Sequence, residues 1–298
     1  MQDSPDIAGA KMLWLHKMEE KVYRGNNNAF EGLEFCFDDN IDLFYGLNYC
    51  INRRNQTPKV YNTKEQTPII QDFYKLFQEE SNRDIERAVF EMGEFQNIAI
   101  AAMSAPAIDC PALRNYLKEK KAIKQRAIRD IQAKPGLDRI DFNSIKDFYG
   151  FNLSDKIIVY LSFFVSGGFG FLSDDKSIIV LGVKYDSKKD SYGVSGTLVC
   201  KLIHEFSHPY IKEIVLNNKL SLAENKDIPP EYYKENYLEE VLVRVMEIIF
   251  SSKIFGGEYE KWAINEQLRA GFMVVSEILK VYSDNSKTIE KSQILSVR

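Results

Sequence analysis

The chain has 298 residues, with 39 lysines and arginines against 43 aspartates and glutamates, giving a net charge of −4. Hydrophobic residues make up 45% and charged residues 28%, the balance of a folded globular protein, which excludes a disordered chain, a collagen-like repeat and a coiled-coil rod. The mild acidity gives no global electrostatic reason to expect nucleic acid as partner, and no apolar run is long enough for a membrane-spanning helix.

Taken in chain order, residues 1–150 read as a mainly helical N-terminal region and residues 151–298 as a second region, the two free to join in one globular unit. Met1–Leu15 lacks the basic start and unbroken apolar stretch of a secretion signal. Ile7–Val22 has helical spacing through Met12, Leu15 and Met18, Phe35–Phe37 reads as a short strand, and Ile41–Ile51 returns to helical spacing. Thr67-Pro68 opens a helix that runs to about Glu80, because proline is at home in a first turn. Asn82–Glu94 follows, with Ile85, Ala88, Val89 and Met92 at three- and four-residue steps. Pro111 opens a single helix from about Ala112 to Ala133, ended by Pro135-Gly136. Its lysines and arginines, Lys118 to Arg129, are interrupted by Glu119 and read as a solvated face.

After residue 150 the texture changes to β-branched and aromatic residues. Lys156–Val165, Phe169–Leu172 and Ser177–Val183 read as strands of a small meandering sheet, followed by a polar loop over Tyr185–Val194 and then three long helices. The expected class is α+β, mostly helical, with a small sheet preceding the helix that carries the chemistry. Four widely spaced cysteines, Cys36, Cys50, Cys110 and Cys200, contain no CxxC and read as free, packed thiols.

Only three histidines occur, His16, His204 and His208, and two of them bracket a glutamate in His204-Glu205-Phe206-Ser207-His208, an H-E-x-x-H pattern. Ser195 is placed to cap a helix whose apolar stripe is Leu198, Val199, Leu202, Ile203 and Phe206. On a helix, residues four apart differ by about 40° in direction and about 6 Å in rise, so both imidazoles can reach one tetrahedral Zn²⁺. Glu205, in the same turn, is then placed to take a proton from a water activated by the ion, which is metal-assisted hydrolysis with Glu205 as general base. Pro209 removes the helical partner of the Glu205 carbonyl and predicts a bend or end just after His208.

Catalytic zinc sites usually take three protein ligands, and no histidine follows His208. A carboxylate from the next helix, expected over Glu231–Phe250, is the natural third ligand. Periodicity against the core stripe of Leu238, Val241, Leu242, Val245, Ile248 and Ile249 leans to Glu239. The clustering of Tyr237, Glu240 and Arg244 on another side favours Glu240, with Arg244 orienting it from four residues on.

The segment His204–His208, with Tyr237-Leu238-Glu239-Glu240-Val241-Leu242-Val243-Arg244 downstream, resembles the gluzincin class of zinc metallopeptidases. It is similar in particular to a bacterial group with HEFSH and a later aromatic-Leu-x-Glu-x-Leu-x-Arg stretch, known as a domain of unknown function. The likeness covers about residues 165–250. It implies a zincin-like fold, His204, His208 and Glu240 as zinc ligands, a peptide or protein substrate, and, in many members, secretion or a periplasmic location with the signal peptide removed. In the best-known gluzincins a downstream His or Tyr stabilises the oxyanion; here Tyr233, Tyr237, Tyr282 and Arg244 are the available groups. The contrasting readings are a non-catalytic binding or scaffold protein with a structural or vestigial zinc site, and hydrolysis of a non-peptide amide or ester. Gly167-Gly168-Phe169-Gly170-Phe171 reads either as an edge strand that pairs with substrate backbone or as a bent core strand.

Overall fold

The computed structural model describes residues 32–55, 68–80, 83–94, 108–149, 156–173, 176–217 and 234–284. The helix expected over Ile7–Val22, and His16 with it, lies outside these residues. The described chain is mixed α+β and mostly helical, with one small sheet.

The first elements among the described residues are β1 (Leu33–Cys36), α1 (Asp39–Asn55), α2 (Pro68–Glu80) and α3 (Arg83–Glu94). Asp38 caps α1 by accepting hydrogen bonds from the amides of Asn40 at 2.8 Å and Ile41 at 3.0 Å. Where one helix was expected over Ala112–Ala133, there are two, α4 (Pro111–Glu119) and α5 (Lys121–Gln132), broken at Lys120. The break redirects α5 so that Lys124, expected among solvated charges, is instead only 6% exposed. Its ammonium lies 2.6 Å from Asp39 and 2.9 Å from the fully buried Asp42, tying α5 to α1. A further helix, α6 (Phe142–Tyr149), escaped the sequence reading; its cap is Asp141, which accepts from the Ser144 amide at 3.0 Å.

The sheet is not a meander. β2 (Ile157–Ser162), β3 (Gly168–Ser173), β4 (Lys176–Asp186) and β5 (Ser191–Val194) join β1 in the order β1-β2-β4-β3, with β5 paired to the end of β4. β1 is parallel to β2 (Leu33 opposite Ile157), and β2 is parallel to β4 (Ile157 opposite Ser177). β3 and β5 are antiparallel to β4. The apolar runs of β2 and β4 suit central strands covered on both faces, with Ile157, Val159, Leu161, Ile179 and Leu181 fully buried. The segment expected to be a loop over Tyr185–Val194 is a hairpin between β4 and β5, turning at Asp190, a non-glycine residue at φ 47°.

Four helices follow the described strands: α7 (Leu198–Asn217), α8 (Lys234–Phe255), α9 (Gly257–Arg269) and α10 (Val274–Asp284). Helix α7 begins after Thr197 rather than at Ser195, and it continues through Pro209 instead of ending there. Pro209 costs a hydrogen bond to the Glu205 carbonyl, and that carbonyl lies against β3. A Cβ placed on Gly170 would sit 1.8 Å from the Glu205 oxygen, so only glycine lets strand and helix approach this closely. Tyr210, beyond the proline, holds the continuation in place by stacking on Tyr149 at 5.0 Å and meeting the Ser177 hydroxyl at 3.0 Å. Helix α8 packs along α7 and is buried on most of its circumference, with Leu238, Val241, Leu242, Val243, Val245, Met246, Ile248 and Ile249 in the core.

Replacing Lys124 by Met leaves Asp42 buried without its cation, and the fold is expected to lose about 3–5 kcal/mol. Guanidinium unfolding of the variant beside the native chain measures this loss as a drop in midpoint at unchanged slope.

Candidate metal centre

Residues 200, 204 and 208 recur every fourth position and share one face of α7. This face looks into a cleft of about 430 Å³, lined among others by Gly168 from β3, Lys201, His204, Glu205 and His208 from α7, Glu240, Arg244 and Glu247 from α8, and Tyr259 and Trp262 from α9. The two histidines meet at its floor with their Nε2 atoms 3.2 Å apart. The carboxylate of Glu240 straddles them, one oxygen 3.6 Å from each ring nitrogen.

The outer nitrogens explain why the rings converge. His204 Nδ1 is 2.9 Å from Glu247 Oε2, and His208 Nδ1 is 2.8 Å from Glu239 Oε1. A carboxylate accepts only, so each Nδ1 carries a proton, and in the neutral rings each Nε2 presents a lone pair to the other. Glu239, to which periodicity leaned, and Glu240, which the clustering with Arg244 favoured, take different places. Glu239 lies outside the triangle and steadies His208, whereas Glu240 faces both inner nitrogens. Arg244 pairs with Glu240 at 2.5 Å, donates to Gln267 Oε1 at 2.7 Å and lies over the Phe272 ring at 4.0 Å, which fixes Glu240 from behind.

Among the described residues, His204, His208 and Glu240 form the one group of three such side chains with donor atoms within 4.8 Å of one another. Ligand atoms at about 2.0–2.1 Å from a tetrahedral zinc are about 3.3 Å apart; the two Nε2 atoms, 3.2 Å apart, come close to that, and each has a different Glu240 oxygen at 3.6 Å. Two facing lone pairs at 3.2 Å repel each other unless a proton or a cation lies between them. Four carboxylates, Glu205, Glu239, Glu240 and Glu247, stand here against two side-chain cations, Lys201 and Arg244, an acidic excess that suits a cation.

Burial opposes the charged form of His208, but the hydrogen bond to Glu239 and the charges of Glu205, Glu240 and Glu239 outweigh it and raise its pKa. Burial likewise pushes the Glu240 carboxyl up, and the charges of His204, Arg244 and His208 with the Arg244 hydrogen bond reverse this and hold it below the usual carboxylate range. Glu205 is 1% exposed; its Oε1 lies 2.7 Å from Lys201 Nζ, while its buried Oε2 has no hydrogen-bond partner and stands 4.0 Å from His208 Nε2.

Two side chains central to this arrangement were not singled out in the sequence. Glu247 lies seven residues after Glu240, two helical turns on the same face of α8, and that spacing was the available signal. Tyr259 comes from α9, and nothing local connects it to the H-E-x-x-H helix. Of the groups considered for an oxyanion, Arg244 lines the cleft. The Tyr237 hydroxyl is instead used on the Gly271 carbonyl at 3.3 Å, with its ring stacked on Phe272. Tyr233 and the side chain of Tyr282 lie outside the described residues. Comparisons of the chain with protein-family models, with curated proteins and with solved structures each return no match.

All four cysteines are free. Cys200 meets the Tyr259 hydroxyl at 3.1 Å, and burial pushes its thiol up to about 12. A thiol so shifted stays protonated through neutral pH and reacts slowly. Alkylation at pH 8 followed by mass spectrometry is expected to spare Cys200 in the native chain and to modify it rapidly after denaturation.

Proposed function

We propose that this chain is a zinc-dependent peptidase of zincin-like architecture, in which His204, His208 and Glu240 hold the metal and Glu205 is the general base. The observation that carries the reading is the triangle of two imidazole nitrogens and a carboxylate, each ring fixed from outside by its own glutamate, with an unpartnered oxygen of Glu205 beside it. A zinc ion in that triangle supplies Lewis-acid polarisation of a carbonyl and lowers the pKa of a water.

The remaining work falls to the chain's own side chains. Glu247 and Glu239 each take the Nδ1 proton of one ring, which turns both Nε2 atoms into the site. Glu205 takes the proton of the attacking water on Oε2 and returns it to the departing amine. Arg244 holds Glu240 as a carboxylate whose charge stays in the triangle. Trp262 and Tyr259 of α9 are among the residues that line the cleft around this floor.

The sheet supports a peptide rather than a small amide as substrate. β3 is the last strand in the order β1-β2-β4-β3, pairs with β4 on one side, and brings Gly168 into the cleft beside Glu205. An extended chain laid along its outer edge would gain main-chain hydrogen bonds and place a carbonyl near the triangle. Gly168 is the residue of β3 that lines the cleft, and with no side chain it presents backbone there.

The purified chain is expected to bind one zinc and to cleave a quenched-fluorescence peptide library. Removal of the metal by a chelator should stop cleavage and added zinc should restore it, while Glu205→Gln should lower kcat by about 10³-fold with zinc content unchanged. One zinc per chain with no turnover on the library would identify a binding protein instead. Glu239→Gln and Glu247→Gln are each expected to weaken zinc binding by about 10–100-fold, read by competition with a chromogenic chelator and independent of turnover.

A further inference from the structure

Lys201 occupies a position that local helix physics does not favour. It lies in the first turn of α7, where the helix dipole disfavours a cation. It precedes Glu205 by four residues, the order of a lysine–glutamate pair that stabilises a helix least. The pair is also not a surface ornament, because the Glu205 side chain is 2% exposed and that of Lys201 only 28%.

The contact makes the two oxygens of Glu205 unequal. Oε1 is held by the Lys201 ammonium at 2.7 Å, and Oε2 is left without a hydrogen-bond partner, 4.0 Å from His208 Nε2. The far side of the carboxylate is closed by β3. A Cβ on Gly168 would lie 2.8 Å from Oε1 and 3.1 Å from Cδ, so the group is seated directly on the strand backbone. A buried carboxylate with neither oxygen paired would protonate or rotate toward water.

We infer that Lys201 is a positioning residue, which clamps Oε1 of Glu205 between α7 and β3 so that Oε2 alone is presented to the metal centre. The inference rests on the proposed role of Glu205 as general base, and it assigns Lys201 no contact with metal or substrate. A general base gains from being held in one rotamer before the water arrives, since a misplacement of about 1 Å costs orders of magnitude in rate. The contribution therefore belongs to kcat and leaves metal loading untouched.

The test compares the native chain with Lys201→Met and Lys201→Arg, all zinc-loaded, in peptide-library turnover, zinc content and crystal structures. Lys201→Met is expected to lower kcat at least tenfold with KM and zinc content unchanged and with the Glu205 carboxylate rotated or split between conformers. Lys201→Arg, which keeps a cation within reach of Oε1, is expected to recover most of the rate and the single conformer. A Met variant within twofold of the native kcat, or with Glu205 in its native place, overturns the clamp. If the native chain cleaves no peptide, the peptidase reading fails, and the crystal structures alone decide the clamp through the position of Glu205.

Discussion

Two imidazoles on one helix, each gripped from behind by a carboxylate on the next, are the constraint from which the rest of the cleft follows. Left alone, histidines four residues apart on α7 are free to rotate away from each other. Glu247 and Glu239 remove that freedom by taking the outer nitrogens, and they do so from opposite ends of a nine-residue stretch of α8. The grip therefore demands that α7 and α8 lie alongside each other in fixed register. The apolar face of α8 meets that demand through the core, where Val241, Val245 and Ile248 are fully buried. Packing thus sets the electrostatics: the same helix that closes the core delivers Glu240 to the inner nitrogens.

The site was largely legible in the sequence, because H-E-x-x-H acts within a single turn and its geometry follows from helical pitch alone. The partner helix was legible as a helix, and its core stripe is buried as its spacing predicts. Between Glu239 and Glu240 the signals were split, periodicity leaning to the first and the clustering with Arg244 to the second, and only the position of α7 tells which carboxylate meets which nitrogen. Arg244 was readable as a partner of Glu240 from its four-residue spacing. Tyr237 misled in the other direction, because an aromatic residue near a glutamate motif says nothing of which way its hydroxyl turns.

The fold was less legible than the site. Strand β1 pairs with β2 across more than a hundred residues, and no local pattern records a parallel neighbour. The break at Lys120 has the same origin: the basic run on α5 reads as solvated unless one knows that Asp39 and Asp42 of α1 stand opposite Lys124. Pro209 was read by its local penalty, while Tyr149 and Ser177, which hold the helix beyond it, come from α6 and β4. In each case a tertiary contact outweighed the local rule.

The two glycines of β3 have a bearing on how such a pocket can change. Where the strand meets α7 at Gly170 there is no room for any side chain, so this wall is closed to variation. Of the two rings that α9 brings to the cleft, Tyr259 is buried and tied to Cys200, which leaves Trp262 as the one that a substitution could vary. Efforts to redirect the pocket toward new residues would therefore start from Trp262, the half-buried ring, and leave the strand alone.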